Sequence, residues 1–353
     1  MADALGTAPE LDIELVRGFR FQCRPDCGLC CYAEPRIEFE ERARLVQLVP
    51  EVEVRGSGAH RYLAARPDGG ACRLLTDQRC RAHEARPSPC REFPLVVHIG
   101  ERLQATVVLS CPGVDIEGLA PDAVGRELVS GSLASELASL RARIRPATAR
   151  RLVEAGRRRR RRVRELTANG RWEDEVAVRR RLLSAPPRPR DDDFPVEDPP
   201  TTDDGLERLP LFFDPRASPI ALAAGLGGWE LLELSPSGGV RRSWGVVPPP
   251  DRRPSMDADA TALLDRYIAY WLRRDALFGF VLEEMATSED DGTVGEWVDR
   301  ELREIGATVL ARADVRARSS RGDVAQLGRE DIADGIRATD QDFLDRPTWG
   351  DRL

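Results

Sequence analysis

The placement of cysteine constrains this chain more than any other sequence feature. All eight cysteines lie between residues 23 and 111, and four of them fall in the single run FQCRPDCGLCCY at 21–32. Thiolates are soft anionic ligands that suit zinc and iron-sulfur clusters, and four of them complete one closed site. The pattern therefore predicts a small metal-binding region with enough thiols for two four-thiolate sites, or for one site and spare thiols.

All eight cysteines are predicted metal ligands: Cys23, Cys27, Cys30, Cys31, Cys72, Cys80, Cys90 and Cys111. Cys30 and Cys31 are adjacent, and neighbouring side chains of an extended backbone point in opposite directions. They are therefore expected to serve two different centres, or to be one ligand and one core thiol. His83 lies between two of these cysteines and is a further candidate ligand, although a hydrogen-bonding or exposed loop role is the more common one.

The N-terminus lacks the basic and apolar regions of a secretory signal, and no apolar run approaches the length of a membrane span. The sequence therefore predicts a cytoplasmic protein with no membrane contact. Clustered cysteines in a reducing compartment are metal ligands or redox groups more often than disulfides. Six arginines lie within a few positions of a cysteine and either offset thiolate charge or are ordinary surface residues: Arg24, Arg73, Arg79, Arg81, Arg86 and Arg91.

The expected fold class is α+β, with a small cysteine-rich module of short strands followed by a mainly helical C-terminal half. The predicted elements of the module are a polar lead-in over 1–20, an amphipathic helix over 37–49, strands at 62–65 and from Cys72, a turn over 67–70, and a hairpin over 94–110 that returns Cys111 to the cluster. These predictions place the module over residues 1–120.

Beyond the module, residues 121–184 are predicted to form Arg-rich helices with breaks at Gly131, Pro146 and Gly170. The Pro- and Asp-rich stretch 185–205 is a predicted linker. The last domain, 206–353, is expected to contain a few strands including a hairpin, an apolar helix over 257–285 with a possible break near Gly279, and helices over 292–313 and 323–344. No catalytic constellation or phosphate-binding loop is recognisable there, so catalytic residues stay unknown.

A second motif, CRAHEARPSPCREFP at 80–94, makes the pattern more specific. Together with CxxxCxxCC, a middle cysteine and a last Cys-Pro, it resembles the YkgJ-like cysteine-cluster family of zinc- or iron-chelating proteins over about residues 21–113. The resemblance implies metal or iron-sulfur binding through the eight cysteines. His83 and Glu84 depart from the family, which often has an aromatic residue before Arg-Pro.

The function predicted from these features is binding of an iron-sulfur cluster, which is favoured, or of zinc, with a possible electron-transfer role. A structural zinc module with a protein or RNA partner is the alternative. An enzyme is less favoured. Cys23, Cys27 and Cys30 have the spacing of radical S-adenosylmethionine enzymes, but no succession of βα units follows. Protein-lysine methylases that share this cysteine pattern have a longer first spacing.

The arginine run Arg157 to Arg162 raises the question of a nucleic-acid partner. Residues 141–190 carry 18 Arg against 5 acidic residues, while the whole chain has a net charge of −7. Six consecutive helical residues point in every direction, and stacking aromatics are missing apart from Trp172. The sequence therefore favours a solvated helix, paired with the acidic stretch 191–204, and an unknown protein or redox partner over nucleic acid.

Overall fold

The computed structural model describes the greater part of the chain. The described residues are 10–24, 27–32, 35–57, 60–64, 71–77, 79–119, 134, 137–138, 140–142, 144, 146–194, 211–212, 220–225, 228–235, 239–322, 324–345 and 351–352. The predicted turn at 67–70, the break at Gly131 and the second half of the predicted linker lie outside the described residues.

Short strands dominate the N-terminal part and helices the C-terminal part, so the predicted α+β class is confirmed. The α-helices are α1 (Phe39–Leu48), α2 (Ser88–Glu92), α3 (Pro146–Ala168), α4 (Glu175–Ser184), α5 (Ala258–Arg273), α6 (Asp275–Thr287), α7 (Val294–Arg321) and α8 (Arg329–Asp345). The strands are β1 (Leu11–Asp12), β2 (Val54–Ser57), β3 (His60–Leu63), β4 (Leu75–Thr76), β5 (Arg79–Cys80), β6 (Leu95–Ile99), β7 (Leu103–Val107), β8 (Leu211–Phe212), β9 (Ile220–Gly225), β10 (Gly228–Leu234), β11 (Val240–Val247) and β12 (Asp351–Arg352). Among the described helices, none combines the length and the apolar character that a bilayer span requires.

A four-stranded sheet in the order β1-β7-β6-β12 contributes to the main hydrophobic core. Strands β6 and β7 form the predicted hairpin, with Leu95 opposite Val107. Strand β1 pairs in parallel with β7, and the Val16 and Phe19 side chains that follow it are buried. The expectation of a polar lead-in over 1–20 was therefore wrong from residue 11 onward, because its scattered apolar side chains enter the main core.

The main hydrophobic core runs from this sheet into α5, α6, α7 and α8. The apolar stretch 257–285 is two helices, α5 and α6, which meet at Arg274. Gly279 is buried inside α6, so the predicted position of the break was wrong. Arg274 has an extended backbone with ψ of 124° and a fully buried side chain. The chain changes direction where this arginine reaches its partners, and the glycine in α6 is accommodated within a helix held by tertiary packing.

A second, smaller core lies inside the cysteine-rich module. It is built from α1, the β2–β3 and β4–β5 ladders and the loops between them. Its buried residues are Cys31, Ile37, Leu45, Val49, Leu63, Ala71, Cys72, Leu74, Leu75, Ala82 and Ala85. Strand β3 confirms the strand expected near 62–65, whereas its partner β2 was not predicted.

The C-terminal strands form a second four-stranded sheet in the order β11-β10-β9-β8. Strands β10 and β11 are the predicted hairpin, and the Ser235 amide donates to the Gly239 carbonyl at 2.7 Å across its turn. Trp229 and Leu231 of β10 are buried against Val315 of α7. This contact packs the second sheet onto the helices.

The first residues of the predicted linker pack on the helices. Arg188 pairs with Asp265 of α5 at 2.5 Å, and Asp193 pairs with Arg303 of α7 at 2.5 Å. Residues 185–194 therefore follow the helical surface. The domain boundaries at 120, 184 and 205 stay predictions.

One fully buried ion pair joins the main sheet to the helices. Arg274 donates to the two carboxylate oxygens of Asp340 at 2.6 and 3.1 Å and to the Val107 carbonyl at 2.9 Å. Asp340 also accepts from the Leu109 amide at 2.7 Å and from the Tyr267 hydroxyl at 3.1 Å. Burial alone would lower the pKa of Arg274, but the charge of Asp340 outweighs it and raises that pKa.

We expect the substitution Asp340→Asn to lower the free energy of unfolding by about 3–5 kcal/mol, because it leaves a buried guanidinium without its counter-charge. Asp265→Asn is the matched control, since the partner of Asp265, Arg188, is more than half exposed. That control is expected to cost at most about 1 kcal/mol. Chemical denaturation followed by circular dichroism measures both, and equal losses in the two variants would contradict the prediction.

Candidate metal centre

The first cysteines sit on a tight turn. Gly28 has a positive φ of 62°, a conformation that glycine adopts without steric cost. The Cys31 amide donates to the Gly28 carbonyl at 2.9 Å, and residues 29–32 form one 3₁₀ turn. The assumption of an extended backbone at Cys30 and Cys31 was therefore wrong. Successive side chains of a 3₁₀ turn are about 120° apart, and the thiols of Cys30 and Cys31 are hydrogen-bonded to each other.

Backbone hydrogen bonds bring Cys72 and Cys80 to this turn. The Cys72 amide donates to the Cys31 carbonyl at 2.5 Å. The Leu75 amide donates to the Cys72 carbonyl at 2.9 Å, and Leu75 is opposite Cys80 in the β4–β5 ladder. Three cysteines that are far apart in sequence thus border the second core.

Cys90 is positioned by helix α2, which a buried carboxylate anchors. Glu41 of α1 accepts hydrogen bonds from the Ser88 amide at 2.8 Å and from the Ser88 hydroxyl at 2.5 Å. Arg91 lies 3.6 Å from the same carboxylate oxygen. Sequence reasoning did not identify Glu41 or Ser88, because nothing in the pattern of α1 distinguishes a buried glutamate from the exposed ones beside it.

Cys23 and Cys111 approach each other along a short antiparallel contact. Phe21 is bridged to Val114, and the Gln22 amide donates to the Gly113 carbonyl at 2.9 Å. Continuing that register places Cys23 beside the segment that begins at Cys111. A Cβ on Gly113 would lie 2.5 Å from the Gln22 carbonyl oxygen, so only glycine permits this approach.

All eight cysteines lie in the described residues, and none of them forms a disulfide. Cys31, Cys72 and Cys111 are buried, Cys23 is exposed, and the others are partly exposed. The set therefore runs from the interior of the second core to the protein surface.

Hydrogen bonding between thiols shifts their acidities in opposite directions. The bonds that the Cys31 thiol makes with Cys30 and with Cys80, together with burial, raise the pKa of Cys31. The same bonds lower the pKa of Cys30 and lower that of Cys80 to about 6. Since the thiolate is the metal-binding form of cysteine, Cys30 and Cys80 have the acidity expected of ready ligands.

The pKa values of Cys90 and Cys111 are raised mainly by burial. Burial raises the pKa of Cys90, and the nearby thiols of Cys30, Cys72 and Cys80 add to the increase. Burial likewise raises the pKa of Cys111, with contributions from the thiols of Cys27, Cys30 and Cys23. Cys30 belongs to both neighbourhoods and therefore lies between them.

The arginines near the cysteines divide into two kinds. Arg73, Arg81 and Arg91 form ion pairs with glutamates of the module: Glu53, Glu51 and Glu41 respectively. Arg86 instead acts on the thiols, because its charge contributes to lowering the pKa of both Cys30 and Cys80. Of the two roles predicted from the sequence, Arg86 therefore has the first, which is to offset thiolate charge. Arg73, Arg81 and Arg91 instead pair with glutamates.

The histidines are not part of a described ligand set. The His83 side chain is exposed, and its partial burial and then the charge of Arg86 lower its pKa. His98 is buried in β6, and the side chain of His60 lies outside the described residues.

The donor chemistry fits a thiolate-bound metal centre, since all eight cysteines of this region are free thiols. Within the described ranges, no three His, Cys, Asp or Glu side chains already have the arrangement of an ion-binding site.

In a comparison with protein families, residues 22–112 match a family model. The matched family is CxxCxxCC, described as "Putative zinc- or iron-chelating domain". The resemblance predicted for residues 21–113 is thus confirmed. In this chain the first spacing, Cys23 to Cys27, has one residue more than the family's name indicates. No curated protein and no solved structure matches the chain.

We expect Glu41→Gln to destabilise the module by about 1–3 kcal/mol, because the Ser88 and Arg91 contacts lose a charged acceptor. Burial would raise the pKa of Glu41, but its hydrogen bonds with Glu38 and Ser88 outweigh burial and lower it. This carboxylate therefore contributes stability above its unfolded pKa, and the contribution disappears as pH falls through the lower folded value. Thermal unfolding between neutral and acidic pH measures the effect. Glu40→Gln, on the exposed side of α1, is the control, and the prediction fails if both variants lose stability alike.

Proposed function

We propose that this protein binds an iron-sulfur cluster through its clustered cysteines, because residues 22–112 match the model of the CxxCxxCC family, described as "Putative zinc- or iron-chelating domain". The observation that supports the proposal is that eight cysteines are free of disulfides, and that backbone contacts bring Cys72 to Cys31 and the segment after Cys111 to residue 22. An all-thiolate ligand set is the usual one for two-iron and four-iron clusters. Zinc is the alternative metal, since it accepts the same ligands.

We infer two adjacent four-thiolate sets. The inner set is Cys31, Cys72, Cys80 and Cys90, three of which border the second core. The outer set is Cys23, Cys27, Cys30 and Cys111, supported by the contact between residues 21–22 and 113–114 and by the turn that carries Cys27 and Cys30. Cys30 completes the outer set because the inner set already contains four thiols. Since Cys31 follows Cys30 directly in the chain, the two sets would meet at this pair of residues.

An electron-transfer role is the function that suits such an arrangement. Cys23 is exposed and Cys27 is partly exposed, so a centre in the outer set would lie near solvent and near a redox partner. Solvent exposure and nearby charge are among the factors that set a cluster's reduction potential. Arg86 supplies positive charge beside Cys30 and Cys80, and this favours a more negatively charged centre.

The structural zinc module is the second candidate. Its support is the small size of the second core, since small domains with little apolar interior gain folding energy from a structural metal. A zinc centre of this kind would be colourless and redox-silent.

Metal analysis and visible absorption of anaerobically purified protein distinguish these functions. We expect iron and acid-labile sulfide in the protein, with a broad visible absorption that a reductant bleaches reversibly. Stoichiometric zinc in a colourless protein would contradict the iron-sulfur proposal and support the structural module. A protein that binds neither metal would contradict both.

Serine variants test the division into two sets. In the outer set, Cys30→Ser and Cys111→Ser are each expected to remove about half of the bound metal. The double variant should remove no more metal than either single variant, because both substitutions disrupt the same centre. Cys31→Ser with Cys72→Ser should behave in the same way for the other set. Combining Cys111→Ser with Cys72→Ser should remove nearly all of the metal, since the sets are independent. Additive losses within a set, or complete loss from one substitution, would rule out this assignment.

A further inference from the structure

Helix α3 presents one buried and one exposed face, and its arginines are divided between them. Ala155 and Leu166 are buried on the inner side. Arg159 lies on the same side, pairs with Glu175 at 2.5 Å and packs 5.9 Å from the centroid of the Trp172 ring. Arg162 is also partly buried and bonds to Glu165 at 3.2 Å. Arg160 lies 3.8 Å from Glu101, so three of the six consecutive arginines have acidic partners within the protein.

The opposite side of α3 carries four arginines in register, which we call the arginine stripe: Arg150, Arg157, Arg161 and Arg164. At about 100° per residue these positions fall within about 60° of one another, and at 1.5 Å per residue they span roughly 21 Å. All four are exposed. The two acidic residues of the helix, Glu154 and Glu165, lie beyond the edge of this face, so the face retains a large positive excess.

The arginine stripe lacks internal counter-charges among the described residues. Arg150, Arg157 and Arg161 make no ion pair with any described acidic residue, and Arg164 bonds only to the Arg160 carbonyl, at 3.3 Å. The acidic stretch 191–204 was the predicted partner of these arginines, but its first residues pair with other arginines. Asp191 lies 3.9 Å from Arg253, and Asp193 pairs with Arg303.

We propose that the arginine stripe binds the phosphate backbone of double-stranded nucleic acid. Guanidinium groups pair bidentately with phosphates, and a row of them on one straight helix face follows a phosphate backbone. Single-stranded nucleic acid is usually held through aromatic stacking as well. Helix α3 contains no aromatic residue, and the nearby Trp172 is buried beneath Arg159. A duplex, contacted through its backbone alone, is therefore the partner that this face fits.

The six consecutive arginines alone form no basic face, because they point in every direction around the helix. In the folded protein, however, α3 does present a basic face. Burial withdraws Arg159 and Arg162, while Arg150 and Arg164 extend the exposed row beyond the run itself. Contacts of this kind position a protein on nucleic acid without reading its sequence. The expected binding is thus sequence-independent and strongly dependent on salt.

Fluorescence anisotropy with a short labelled DNA duplex of mixed sequence tests this proposal. The unmodified protein should bind with a dissociation constant in the range of about 10⁻⁴ to 10⁻⁶ M near physiological salt. Changing all four stripe residues to Gln should weaken binding by about ten- to a hundredfold, and flatten the dependence of log K on log salt concentration by about 3 to 4. The corresponding four Lys substitutions should retain most of the affinity, because they keep the charge.

A second quadruple Gln variant removes the same charge elsewhere, from the exposed residues Arg42, Arg44, Arg241 and Arg242. It should bind like the unmodified protein, and circular dichroism should show that both Gln variants remain folded. The proposal is overturned if the unmodified protein does not bind, or if both variants lose the same affinity. Tighter binding to a single strand of the same sequence would also overturn the proposal. So would polyglutamate that displaces the labelled duplex as well as unlabelled duplex does, because the stripe would then be a site for acidic proteins.

Discussion

Enclosing Arg274 and Asp340 takes two charges out of water at a cost of several kcal/mol for each. The cost is partly offset because three groups from other elements are hydrogen-bonded to the pair: the Val107 carbonyl, the Leu109 amide and the Tyr267 hydroxyl. The buried Nε atom of Arg274 has no hydrogen-bond partner among the described residues. The same arginine ends α5, so the angle between α5 and α6 also follows from it. The pair thereby sets how the helices meet the main sheet.

This network has a direct consequence for the cysteines. The Leu109 amide is held by Asp340, and the Ser110 hydroxyl accepts from the Gln341 amide at 3.0 Å. Cys111 follows immediately and is buried in the main core. The helical half therefore fixes the position of Cys111, while Cys27 and Cys30 lie in a turn with local backbone hydrogen bonds.

The elements that sequence reasoning predicted well are those with a strong local signal: the amphipathic helix α1, the β6–β7 hairpin and the cysteine-rich region. The position of the break between α5 and α6 could not be predicted from a local signal. A glycine is a local signal, whereas the break at Arg274 depends on an acid 66 residues away along the chain. The roles of Glu41 and Ser88 were hidden for the same reason, since their separation is 47 residues. Contacts of this kind require the fold to be known.

The cysteines also contribute to packing, which constrains how a metal would bind. Cys31 and Cys72 are buried members of the second core, whose other buried residues are a small set of Leu, Ile, Val and Ala side chains. Such a core supplies little of the free energy that keeps a small module folded. Binding energy from a thiolate-bound metal becomes folding energy when the site forms only in the folded chain. Metal removal should thus loosen β4, β5 and α2, while the main core, held by Arg274 and Asp340, remains folded.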